Sequence, residues 1–201
     1  MSSVESEYSK EINYKKQPTH NKEVGDLGFE AENVVGLFWR MIPDFKVRHS
    51  TKEEDAGIRK EEQRFGPVKM IDQVIYIKEK PSFSLQITTS TDSVTRNRKI
   101  SELKNKPFIR LEEMKNDDVA IPRAVTFVKA ENVAKFMKDR DFSKHPDLER
   151  EILNSTINSL KFIILQTQNP KEIERVASII ATLETEKEKL FGKSMFASGT
   201  K

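Results

Sequence analysis

The segment 68–77, VKMIDQVIYI, constrains the fold more than any other part of the chain. It is β-rich and apolar on both alternating faces, the pattern of a central strand covered on each side. Such a strand predicts a layered α/β unit, with helices packed against a sheet. After a turn at Glu79-Lys80-Pro81, the run 82–88 (SFSLQIT) alternates. Phe83, Leu85 and Ile87 take one side, and Ser82, Ser84, Gln86 and Thr88 take the other.

The flanking segments supply the other elements. Leu27, Ala31, Val34, Phe38 and Met41 recur at steps of four and three, which predicts an amphipathic helix with Asp26 as N-cap and Pro43 just past its end. Phe45 to His49 alternates as a short strand, and the charged stretch 50–67, with Gly57 and Gly66, reads as a loop. Ser90, Thr91 and Asp92 offer N-caps for a helix running to about Lys104, with Val94, Ile100 and Leu103 as its sparse apolar contacts and Pro107 as its stop. After a polar loop, 121–129 (IPRAVTFVK) is another strand, with Pro122 near its start, where a missing N–H is tolerated. The order is helix, strand, strand, strand, helix, strand.

Beyond Ala130 the pattern is helical: 130–138, 146–166 and 170–190, the last two broken by Asn169-Pro170. Ile173, Val176, Ile180, Leu183 and Leu190 form one apolar seam, so the last two helices are expected to pair as an antiparallel αα-hairpin. The expected organisation is a disordered tail at 1–24, an α/β core at 25–130, a helical segment at 131–192 packed on it, and a flexible tail at 193–201.

Lys and Arg total 35 against 32 Asp and Glu, a net charge of +3 that does not mark a nucleic-acid binder by itself, so any basic footprint is local. It falls at 96–110, where Arg96, Arg98, Lys99, Lys104, Lys106 and Arg110 face a single acid, Glu102. A solvated helix face is the other reading of that stretch. The absence of cysteine excludes disulfides, thiolate nucleophiles and Cys-ligated zinc. The first residues mix acids and bases with no apolar core, and no later run is long enough to span a bilayer, so a cytoplasmic protein with no membrane association is expected. His20, His49 and His145 show no ligand spacing, and no Gly-rich phosphate loop is present. The sequon Asn154-Ser155-Thr156 lies inside a predicted helix and reads as coincidence.

The informative anomalies are polar groups where packing favours apolar ones. Asp72 sits within the most apolar strand, and an unpaired buried carboxylate costs several kcal/mol. It therefore needs a nearby partner or a metal, or, on the structural alternative, a strand-edge position or a bond to a backbone group. Gln86 and Thr88 share the polar face of the next strand, where a hairpin would set them beside Asp72. On the first helix, at 100° per residue, Glu30 falls about 60° from the centre of the apolar stripe and Glu32 about 140° away, so Glu30 is expected to reach the sheet.

An acid on the first helix, an aspartate in the second strand and an acid-x-lysine tripeptide in the third together form the PD-(D/E)XK pattern. From residue 26 to 129 the chain resembles that nuclease superfamily, with Glu30, Asp72 and Gln86-Ile87-Thr88 in the motif places. The resemblance implies a restriction-endonuclease-like αβββαβ core with a mixed central sheet, followed here by the C-terminal helical hairpin. It also implies hydrolysis of DNA or RNA phosphodiesters with Mg²⁺ or Mn²⁺ held by Glu30, Asp72 and Gln86. Gln86 keeps an oxygen ligand but removes a negative charge, and Thr88 lacks the cation of the usual lysine. In some members a basic residue of the following helix takes over, which places Arg96, Arg98 and Lys99 among the candidates. The competing expectation is a catalytically inactive binding or assembly module, with the C-terminal helices docking a protein partner or a second copy.

Overall fold

The structure, a computed structural model, describes residues 22–51, 71–89, 92–111, 114 and 120–192. The described residues begin with helix α1, Lys22–Met41, followed by strands β1, Phe45–His49, β2, Gln73–Ile77, and β3, Lys80–Thr88. Helix α2, Ser93–Asn105, leads to β4, Phe108–Ile109, and β5, Ile121–Phe127. Helix α3, Ala130–Asp139, a 3₁₀ turn at Phe142–Lys144, and helices α4, Pro146–Ile164, and α5, Pro170–Phe191, complete it. Of the tail expected at 1–24, residues 22–24 are instead the first turn of α1, and 1–21 lie outside the described residues, as do 52–67 of the loop expected at 50–67, the strand start at 68–70 and the tail expected at 193–201.

The five-stranded sheet runs β1-β2-β3-β5-β4. β1, β2 and β3 form an antiparallel meander, β5 joins β3 in parallel through the crossover helix α2, and β4 closes the far edge antiparallel to β5. This is a mixed α/β architecture. β2 and β3 meet in a two-residue turn whose Lys78 (φ 48°) and Glu79 (φ 66°) are both left-handed, the geometry that matches the twist of a tight hairpin.

Alternation along β3 sends Phe83 and Leu85 into the larger apolar cluster, where they meet Val34, Phe38 and Trp39 of α1 and residues of α3, α4 and α5. The Trp39 ring stands edge-on to Phe83 at 5.6 Å and stacks on Phe45 at 5.7 Å. One apolar cluster therefore spans both the α/β core and the C-terminal helices. A smaller cluster of Ile71, Val74, Ile109, Leu111, Met114 and Ile121 covers the opposite face at the β4 end.

Several boundaries differ from expectation, each for a local reason. α1 begins at Lys22, so Asp26 lies inside the helix and not at its cap. Met41 is 52% exposed, while Val35 and Trp39, outside the proposed stripe, are fully buried. Val94 and Ile100 of α2 are exposed, leaving Leu103 and, unexpectedly, Lys99 as its buried residues. Asp92 is the N-cap of α2, accepting from the N–H groups of Val94 and Thr95. On α5 the buried seam is Val176, Ile179 and Leu183, and Leu190 is exposed.

α4 and α5 run antiparallel: Arg150 lies over the ring of Phe191, and Lys161 bonds Glu184 at 2.8 Å. α4 also closes the sheet. β4 pairs only with Ile121 and Pro122, so the edge of β5 beyond them would expose its N–H groups. Ser159 and Ser155, one turn apart on α4, accept the N–H groups of Val125 and Phe127 at 2.8 Å each. Thr156 meets Thr126 between them. The sequon's Ser155 and Thr156 are thus spent on the sheet. Replacing Ser155 and Ser159 together by alanine strands two β5 donors and is expected to cost about 2–4 kcal/mol in urea unfolding, at about 1–2 kcal/mol each. Faster hydrogen exchange at Val125 and Phe127 should accompany it.

Candidate functional site

Asp72 is a bend that ends the ladder rather than a mid-strand residue. Its N–H still reaches the carbonyl of Leu85 (2.8 Å), and its own carbonyl accepts the N–H of Ser50 (3.1 Å). Its Oδ2 accepts the N–H of Ile87 at 2.7 Å, taking the place a strand carbonyl would have held. Ladder donors lie in the plane of the sheet, so the carboxylate is held at the rim where β2 leaves β3. Ile71 and Val74 share one apolar cluster although three residues apart, which strict alternation forbids; the bend at Asp72 supplies the extra residue. Asp72 is therefore brought against the segment Gln86-Ile87-Thr88, and it is only 4% exposed.

The polar face of β3 is not an outer face. Ser84 and Gln86 are buried, and Arg123, the register neighbour of Ser84 on β5, is buried with them. α2 provides the cover: its Ile100 and Leu103 line one cleft with Val125 and Phe127, the register neighbours of Gln86 and Thr88. Lys99 points inward from this helix, and its ammonium lies 3.9 Å from Glu102, which Arg98 approaches at 3.7 Å. Burial holds the Lys99 ammonium below its ordinary value, while Glu102 and then Asp72 pull it back up and Arg98 and Arg123 oppose them. Arg123 donates to the carbonyl of Lys106 at 2.9 Å. Ser84 Oγ is enclosed and makes no hydrogen bond among the described residues, and Glu102 Oε2 has the Lys99 ammonium at 3.9 Å but no hydrogen bond.

The lowered Lys99 makes a signed prediction. The unfolded chain holds that proton more tightly than the folded one, so the cost of burying the charge is fully present below the folded pKa. It is relieved as pH rises toward the ordinary value of 10.5. Wild type should therefore gain stability relative to Lys99→Met over the units just below 10.5, read as urea midpoints against pH. Parallel profiles for the two proteins would count against a buried ammonium at this position.

The acid of α1 changes with the burial of that helix. Including Val35 and Trp39 rotates the centre of the buried arc by about 50°, leaving Glu32 about 90° and Glu30 about 110° from it. The sheet contact falls to residue 32: Gln73 Nε2 donates to the Glu32 carbonyl at 2.6 Å, next to Asp72 in sequence. Gly36 permits this approach, because a Cβ there would stand 2.8 Å from Gln73 Nε2. Glu30, the acid expected from the stripe, is half-buried. Glu32 is half-buried as well, and its contact with Gln73 is made by the main chain and not by the carboxylate, so neither acid of α1 is placed at Asp72 by this bond.

No family model, curated protein or solved structure matches the chain. The site must be judged on its own groups. Among the described residues no cluster of His, Cys, Asp and Glu has the number needed to hold a metal unaided. Asp72 and the Gln86 amide oxygen are nonetheless hard oxygen donors, and Mg²⁺ commonly takes one or two carboxylates with the remainder from water and phosphate. The basic stretch divides: Arg96, Arg98, Lys104 and Arg110 are exposed, Lys106 is half-buried, and Lys99 is buried and withdrawn from any surface phosphate footprint.

Proposed function

We propose that the chain is a divergent metal-dependent phosphodiesterase acting on DNA or RNA, built on a restriction-endonuclease-like αβββαβ core. Lys99 of α2 supplies the cation that Thr88 does not. The observation that carries this reading is the buried Lys99 ammonium facing the sheet within the field of Asp72, on the face that bears Gln86. A cation at that point orients a water or offsets charge on a phosphate oxygen. Asp72 and Gln86, with water and phosphate oxygens completing the shell, would hold Mg²⁺ or Mn²⁺, which would polarise the phosphate and acidify an attacking water, whereas Glu30 and Glu32 belong to α1, packed on the Phe83 and Leu85 face. Thr88 positions water, and Arg96 meets the phosphate backbone. The strand order, with β3 and β5 parallel across α2, supports the fold assignment. The test is cleavage of single- and double-stranded DNA and RNA with Mg²⁺ or Mn²⁺: wild type cleaves, while Asp72→Ala and Lys99→Met do not. A clean wild-type preparation that cleaves none of these substrates removes the proposal.

The bond from Ile87 N–H to Asp72 Oδ2 favours a second reading, because a carboxylate committed to backbone serves as a structural cap. On that reading the fold is a nuclease-derived binding or assembly module, with α4 and α5 docking a partner or a second copy. No heat on titrating Mn²⁺ at millimolar concentration, with unchanged unfolding, selects it. Self-association through the hairpin would appear as a concentration-dependent mass in sedimentation.

A further inference from the structure

A cleft of about 490 Å³ opens between α2 and α4 above the edge of β5. Its floor is apolar, made by Leu103, Val125 and Phe127 with Ile100 and Phe162 at the sides. The Arg96 guanidinium lies over the Phe127 ring, 4.8 Å from its centroid. The opposite wall is polar. Asn154 and Asn158, one turn apart on α4, both line the cleft, and among the described residues their amides make no hydrogen bond. Ser155 and Ser159, each next to one of these asparagines in sequence, are already occupied by the β5 N–H groups. Lys129 stands exposed at the rim.

We propose that this cleft binds an unpaired nucleobase and its flanking phosphates, so that the preferred ligand is single-stranded nucleic acid. This rests in part on the phosphodiesterase reading, since it names the strand type that site would take. The chemistry is complementary on three sides. A guanidinium plane over an aromatic ring is a stacking platform open to any base. Two free amides, each with donors and an acceptor, suit the polar edge of a base. Arg96 and Lys129 answer the phosphates, while Glu151, the acid of the lining, is engaged by Asn132 at 2.9 Å.

Position strengthens the assignment. Val125 and Phe127 of the floor are the register neighbours of Gln86 and Thr88, so the cleft lies one strand, about 4.8 Å, from the candidate site. Duplex cannot enter a space of this size without unpairing.

The experiment is fluorescence polarisation of the full chain with labelled single-stranded DNA and RNA of about twelve nucleotides, and with the matching duplexes, in EDTA. Single strands should bind more tightly than duplex, with affinity falling as salt rises. Arg96→Ala and Asn158→Asp, both at exposed positions, should each weaken binding at least about fivefold, with unchanged thermal unfolding. Lys187→Ala, on α5 away from the cleft, should bind as wild type. Duplex binding as tight as single strand, or indifference to Asn158→Asp, overturns the proposal. Because EDTA removes catalysis from the measurement, the two readings can fail separately. Binding sensitive to Asn158→Asp without any metal-dependent cleavage keeps the cleft and discards the phosphodiesterase. Cleavage abolished by Asp72→Ala, with binding indifferent to both cleft variants, does the reverse.

Discussion

Phe83→Ala is expected to lower the unfolding free energy by about 3–5 kcal/mol, a large share of the total for a domain of this size. The side chain is fully buried, sits opposite Ile75 on β2, and forms with Phe45 of β1 the sheet's ring contacts to Trp39, its own at 5.6 Å. Truncation removes the ring's transfer free energy and leaves a cavity between two elements, α1 and the hairpin, that cannot both relax into it. Phe83→Leu keeps most of the volume and should cost less than about 1.5 kcal/mol. Trp39 is the only tryptophan of the chain, so its fluorescence reports unfolding from inside the affected contact. A loss below about 1.5 kcal/mol for Phe83→Ala would mean that α1 does not pack on β3 through these rings.

Phe83 was legible in the sequence because its burial follows from strict alternation, which needs only the local period. The apolar partner face of β3 and the C-terminal helix pair were legible on the same ground. What escaped the reading depends on irregularity or on neighbours distant in sequence. The bend at Asp72 shifts the alternation by one residue, and an apolar run gives no sign of it, because Ile71 and Val74 look equally buried in either phase. The cover over the polar face of β3 was not legible, since Ser84 and Gln86 carry no mark of the helix packed on them. That helix is itself poorly marked: α2 buries little besides Leu103 and Lys99, so its inward face is defined by a cation. β4 contributes two residues, too few for any period. The serines of α4 are ordinary helix residues until the short β4 leaves β5 without a neighbour.

Asp72→Asn and Asp72→Ala separate the two roles that this carboxylate can hold. Asparagine keeps an oxygen for the Ile87 N–H, now 2.7 Å from Oδ2, but gives up the negative charge. Alanine gives up both. If the residue only caps the rim of the sheet, Asp72→Asn should stay within about 1 kcal/mol of wild type, whereas Asp72→Ala, which strands a buried donor, should cost about 1–3 kcal/mol. Catalysis responds differently. On the proposed phosphodiesterase reading, loss of one ionised ligand for a divalent cation removes several kcal/mol of transition-state stabilisation, so both variants should lose metal-dependent cleavage by about a hundredfold or more. The pairing of near-native stability with abolished cleavage in Asp72→Asn is the signature of an active carboxylate. Lys99 adds an internal check: with the charge at residue 72 gone, the Lys99 ammonium loses one of the two anions that support it and should fall further below its ordinary value. A pH–stability profile for Asp72→Asn that overlays wild type would show that the two groups do not sense one another, and the assignment of Lys99 to the site would fall with it.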